Sequence, residues 1–153
     1  MDKQAALTKL DEQYNALLAS LKGLDEQSMS QRFYGEWNIK DILAHVAGWQ
    51  QTMTEAMHRM ARGEKPVPEG VDYSDGDKWN AGFAGAMKAQ SAETIIAVLR
   101  QSFANYRRAA KDVPDDRYGE GKTINRLLET SGYGHIEEHL PEIQAFRAKV
   151  TAA

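Results

Sequence analysis

In four long stretches of this 153-residue chain, apolar residues return every three or four positions, and nowhere do they alternate over a useful length. A period of 3.6 gives a helix one apolar stripe, whereas a half-buried strand needs a period of two. The pattern therefore confines the chain to all-α folds. Leu7, Leu10, Tyr14, Leu17, Leu18 and Leu21 form the first stripe, which ends near Gly23. After a polar connection over 25–36, Asn38 opens a second helix. Its side chain can cap the free N–H groups of the first turn, and Asp41 suits the positive end of the dipole. Ile42, Val46, Trp49, Met53, Met57 and Met60 mark the buried side, and Gly63 with the segment 66–70 stops it.

The stretch 71–90 carries Gly76, Gly82 and Gly85, each about 1 kcal/mol less favourable than Ala in a helix. Trp79, Phe83 and Met87 are spaced four apart there, which predicts a short helix. Ser91 is placed to cap the next long one, along Ile95, Leu99, Phe103, Tyr106 and Ala110, and the segment 113–116 ends it. Thr123 then opens a last helix with Ile124, Leu128, Ser131, His135, His139, Ile143 and Phe146 on one stripe, and Pro141 should kink it just past the histidines. Four long helices and one short extra helix, joined by medium loops, fit an all-α helical bundle. The length favours one domain over 1–153.

Composition narrows the function. Hydrophobic residues make up 42% and charged ones 27%, so the chain can bury a core and is not a disordered segment. No apolar run is long enough for a transmembrane helix, and the N-terminal residues do not read as a secretory signal, so no membrane partner is expected. The formal charge of −3 argues against nucleic acid as a partner, since phosphate binding needs a dense basic patch. The absence of cysteine excludes disulfides and thiolate chemistry from the protein's own side chains, and it is compatible with a cytoplasmic location.

Three of the four histidines take core-stripe positions. His135 and His139 are one turn apart on one face, so both rings can reach a single ion. His45 stands between Ile42 and Trp49 on the buried side of the second helix. His58 lies 13 residues further on, a rotation of roughly 220°, and should point away. Spacing alone leaves two readings open: hydrogen-bonded core histidines, or ligands of a shared ion that relieves several buried ring nitrogens. The run from His135 to His139 also fits the H-x-x-E-H pattern of inverted zinc proteases. Those enzymes take a further acidic ligand far downstream, and only 14 residues follow His139, so a protease is not expected.

The segment Trp37-Asn38-Ile39-Lys40-Asp41-Ile42-Leu43-Ala44-His45-Val46-Ala47-Gly48-Trp49 resembles the DinB/YfiT-like superfamily in its order of Trp, Asp-x-x-x-His, a small residue and an aromatic. The His135–His139 pair is similar to the family's closing H-x-x-x-H element, and Trp79-Asn80 to its aromatic-Asn step. The resemblance implies an antiparallel four-helix bundle of DinB/YfiT type, with one crossover connection and the one extra short helix. It also implies a divalent ion (nickel, zinc or iron) held by His45, His135 and His139, and a homodimer.

Activities attached to the family include thiol-dependent transfer and isomerisation, using low-molecular-weight thiols such as bacillithiol, mycothiol or glutathione, and metal-dependent hydrolysis. The expected protein is thus a metal-dependent enzyme acting on a small-molecule substrate, most simply a thiol S-transferase of detoxification chemistry. A hydrolase, or a non-catalytic metal-binding stress module, is the alternative. Three neutral imidazoles would leave an ion open positions for water or a thiol, so the same residues serve either reaction. Trp49, one turn beyond His45, is a candidate wall of the substrate pocket, and the resemblance suggests Asn80 as its polar anchor. Asp41, Glu138 and Glu142 are candidates to hold the outer ring nitrogens, with helix capping the simpler role for Asp41.

Overall fold

The computed structural model describes residues 1–152 and is helical throughout its regular regions. The helices up to residue 112 begin where the chain supplies a side-chain cap. Asp2 accepts from the Ala5 N–H at 2.8 Å and starts α1 (Lys3–Ser20). Asn38 and Asp41 form a reciprocal capping box, at 2.7 and 3.1 Å, that starts α3 (Ile39–Ala61). Ser91 accepts from the Thr94 N–H and starts α5 (Ala92–Asp112). One turn that periodicity did not flag, α2 (Glu26–Met29), sits in the connection after α1; it is too short for a stripe and is capped by Asp25.

Helix α4 (Gly76–Ala86) forms over the glycine-rich stretch although none of its residues is fully buried. It is fixed to α3 by a close approach. A Cβ on Gly48 would stand 2.3 Å from the Phe83 ring, so only glycine lets that ring lie against the helix.

The expected last helix is two. α6 (Thr123–Ser131) stops at Gly132, and α7 (Tyr133–Thr151) starts immediately after it. Gly132 has φ −111° and ψ −112°, outside the helical basin, and a Cβ there would meet the Leu128 carbonyl oxygen at 2.6 Å and the Tyr106 hydroxyl at 2.8 Å. α7 runs on through Pro141, so the interruption lies before the histidine pair and not after it. Nor does Thr123 cap α6: Lys122 occupies that position and supplies no side-chain bond. The apolar stripe nevertheless survives the break, with Ile124, Leu128, Ile136 and Ile143 completely buried.

The long helices form an antiparallel four-helix bundle of the expected class. α3 packs chiefly on α5, and α1 on α7; α1 against α5, and α3 against α6 and α7, close the ring. Leu10, Leu43, Met57, Leu99, Tyr106 and Leu128 share one apolar cluster at its centre. Among the described residues there is no strand, and no helix is long and apolar enough to cross a membrane.

Candidate metal centre

α3 brings His45 inward because its caps and its stripe fix the rotation of the helix. α7 brings His135 and His139 one turn apart toward the same point. The Nε2 atoms of His45 and His135 are 2.8 Å apart, and those of His139 and His135 are 3.3 Å apart. One nitrogen from each of the three rings falls within 4.8 Å of the other two. The rings pack edge to face, with centroids 4.7 to 5.0 Å apart, and the edge of Trp37 closes the side of His45 at 4.9 Å.

Burial first, then the neighbouring imidazoles, pushes His45 down from the ordinary 6.5 to about 3. Burial and then His139 push His135 down to about 4. Burial also lowers His139, which the Glu138 and Glu142 carboxylates oppose. All three rings are therefore neutral near pH 7, the form that offers a lone pair. A single ring nitrogen carries either a proton or a lone pair, so His135 Nε2 cannot both accept from one neighbour and donate to the other. A cation shared by three lone pairs satisfies the whole group, and on the chemistry of its donors this group could hold a metal ion.

His58 is not part of the group. It is half exposed and faces Glu55 at 3.6 Å, as its helical phase predicts. The outer nitrogens have no carboxylate to hold them: Nδ1 of both His45 and His135 is buried without a hydrogen-bond partner. Asp41 is committed to the capping box. Glu142 keeps one carboxylate oxygen buried and unpartnered. Gln50, which the sequence reading passed over, is completely buried with neither amide atom bonded.

A cavity of about 440 Å³ reaches His135 from the side. Trp49, Met53, Tyr73 and Leu127 give it apolar walls, and Arg126 and Thr130 lie on its polar side. Larger surface hollows, beside Met29 and Arg100 and beside Phe33 and Phe146, are not lined by any of the three histidines. Trp49 is held by a cluster of Tyr73, Trp79 and Phe83 with ring centroids 5.3 to 6.0 Å away. Its indole N–H donates to Asn80 Oδ1 at 2.6 Å. Asn80 itself is not among the residues that line the cavity. Arg126, Thr130 and Ser131 were missed as lining residues because the opposite wall comes from α3 and the segment 66–73, distant in sequence; their i, i+4 and i+5 spacing was the one available signal.

The chain is thus a helical bundle whose three-histidine group, set between facing helices, could hold an ion in the interior. The chain belongs to the DinB superfamily, whose model matches residues 9–137, a span that contains His45 and His135. No curated protein matches it. Among solved structures it is similar to the Sibling Lethal Factor Precursor DfsB (TM-score 0.83, 13% identity, covering 100% of this chain and 99% of that one). It is also similar to an uncharacterised protein of Escherichia coli UTI89 (TM-score 0.79, 17% identity, 99% and 96% covered). A third is the colibactin self-resistance protein ClbS in complex with a dsDNA (TM-score 0.83, 11% identity, 99% and 98% covered).

These likenesses establish the fold, and one of them overturns an expectation. A chain of this architecture occurs in complex with double-stranded DNA, so the exclusion of a nucleic-acid partner drawn from the net charge does not stand. Net charge sums over the whole surface, whereas phosphates are met by a local patch that a weakly acidic protein can still carry.

Proposed function

We propose that the chain is a divalent-metal-dependent enzyme that joins a low-molecular-weight thiol to a small electrophile, with His45, His135 and His139 as ligands. The observation that carries this reading is the approach of His45 on α3 to the His135–His139 pair on α7, neutral and largely screened from water. A bound divalent ion supplies a Lewis acid that favours the deprotonated form of a substrate sulfur. The protein's own contribution is steric and electrostatic. Trp49 and its aromatic neighbours exclude water from one side of the cavity, Asn80 fixes the indole, and the apolar wall around His135 receives the body of the substrate. In the reaction the thiol gives up its proton to solvent, an S–C bond forms, and the leaving group departs with the bonding pair.

The test is conjugation of such thiols with alkylating electrophiles by metal-loaded protein and by His45→Ala. We expect metal-dependent conjugate that falls by at least about 100-fold in the variant. Equal conjugation by the two proteins contradicts the assignment.

A further inference from the structure

We infer that the cavity beside His135 selects small molecules with an apolar body and a terminal carboxylate, and that Arg126 holds the carboxylate. The inference rests on reading this cavity as the substrate pocket. Of the described residues that line it, Arg126 is the one that carries a full charge at every ordinary pH.

Most other polar groups on the lining are committed to the protein. The Trp49 N–H is taken by Asn80. The Thr130 hydroxyl donates to the Arg126 carbonyl at 2.9 Å, and the Ser131 hydroxyl to that of Leu127 at 2.7 Å. Arg126 is anchored yet unsaturated. One guanidinium nitrogen donates to the Gly121 carbonyl at 2.7 Å and another reaches the Thr123 hydroxyl at 3.5 Å. Arg126 is exposed, and, as for Arg59, Arg100, Arg108, Arg117 and Arg147, no carboxylate among the described residues pairs with it; what sets it apart from those five is its place on the cavity lining. Several guanidinium N–H groups thus remain for a ligand, and a planar carboxylate is the acceptor that fits their fork.

Spacing sets the length of the molecule. Arg126 and His135 are nine positions apart and both line the cavity; an unbroken helix would separate them by roughly 13 Å along its axis, which is an upper bound across the break at Gly132. A carboxylate at Arg126 would put the far end of a bicyclic aromatic or a medium alkyl body near the histidines. A cavity of this size is in the usual range for such ligands.

The test uses 2-naphthoate and its neutral analogue 2-naphthylmethanol as probes, titrated by calorimetry into chelator-treated full-length protein, with Arg126→Leu and Arg126→Lys alongside. Chelation removes any ion that could bind the carboxylate directly. We expect 2-naphthoate to bind at least about tenfold more tightly than the alcohol. In Arg126→Leu that preference should vanish while alcohol binding is unchanged, and Arg126→Lys should retain part of it. Equal affinity of the two probes in the unaltered protein, a preference that persists in Arg126→Leu, or no binding of either probe overturns the inference. Metal content and thiol conjugation are measured on separate samples, so a metal-free, inactive protein that still prefers the carboxylate would defeat the proposed reaction and leave this pocket assignment standing.

Discussion

His45 and His135 are 90 positions apart in sequence, and their Nε2 atoms lie 2.8 Å from each other between α3 and α7. Two bases facing each other at this distance resist protonation, since the second cation would be both desolvated and repelled. In metal-free protein the folded state holds both rings well below the ordinary 6.5, at about 3 and about 4. The unfolded chain therefore binds more protons than the folded one between roughly pH 6.5 and pH 3. Stability contributed by these rings is intact above the unfolded value and is lost as pH falls through that window. Urea denaturation of metal-free protein at pH 7.5 and pH 5 should show this loss, and a His45→Gln, His135→Gln double variant should show a shallower one. Identical pH dependence in the two proteins would count against a neutral pair.

Gly132 separates α6 from α7 although one apolar stripe runs through both. In Gly132→Ala the new methyl would collide with the Leu128 carbonyl and the Tyr106 hydroxyl, both of which sit in well-packed surroundings. We expect a loss of about 1–3 kcal/mol, a fall of several degrees in Tm for a chain of this size, measured by thermal unfolding. An unchanged Tm would show that the break is not sterically required.

Much of this architecture was legible from the chain alone, for a physical reason. Asn38, Asp41 and Ser91 act within one turn of themselves, and the stripes of α1, α3 and α5 follow the 3.6 period, so caps and core positions could be read locally. His45, His135 and His139 stood out because imidazoles occupied apolar seats. The break at Gly132 was not legible as such, since it is set by Leu128, Tyr106 and Leu10, of which Leu10 lies on the far side of the sequence. The Gly132–Gly134 pair is the local hint, and the apolar stripe runs on across it. The lining role of Arg126 was hidden because the facing wall, Trp49, Met53 and Tyr73, lies more than 50 positions away, and the burial of Gln50 has no account in sequence or structure.

Asn80 and Trp49 should be energetically coupled. Removing the carboxamide in Asn80→Ala leaves the half-buried indole N–H without its acceptor, while Trp49→Phe removes the donor. A double-mutant cycle by denaturant unfolding should give a coupling of about 0.5–1.5 kcal/mol. Additive effects would mean that the 2.6 Å contact does not hold the aromatic wall.

The proposed reaction requires a bound ion. Elemental analysis of protein reconstituted with nickel, zinc or iron and freed of excess metal should find about one divalent ion per chain, and His135→Ala, treated identically, should retain essentially none. A stoichiometry near zero in the unaltered protein, or undiminished binding in the variant, would mean that the three imidazoles are not a metal centre.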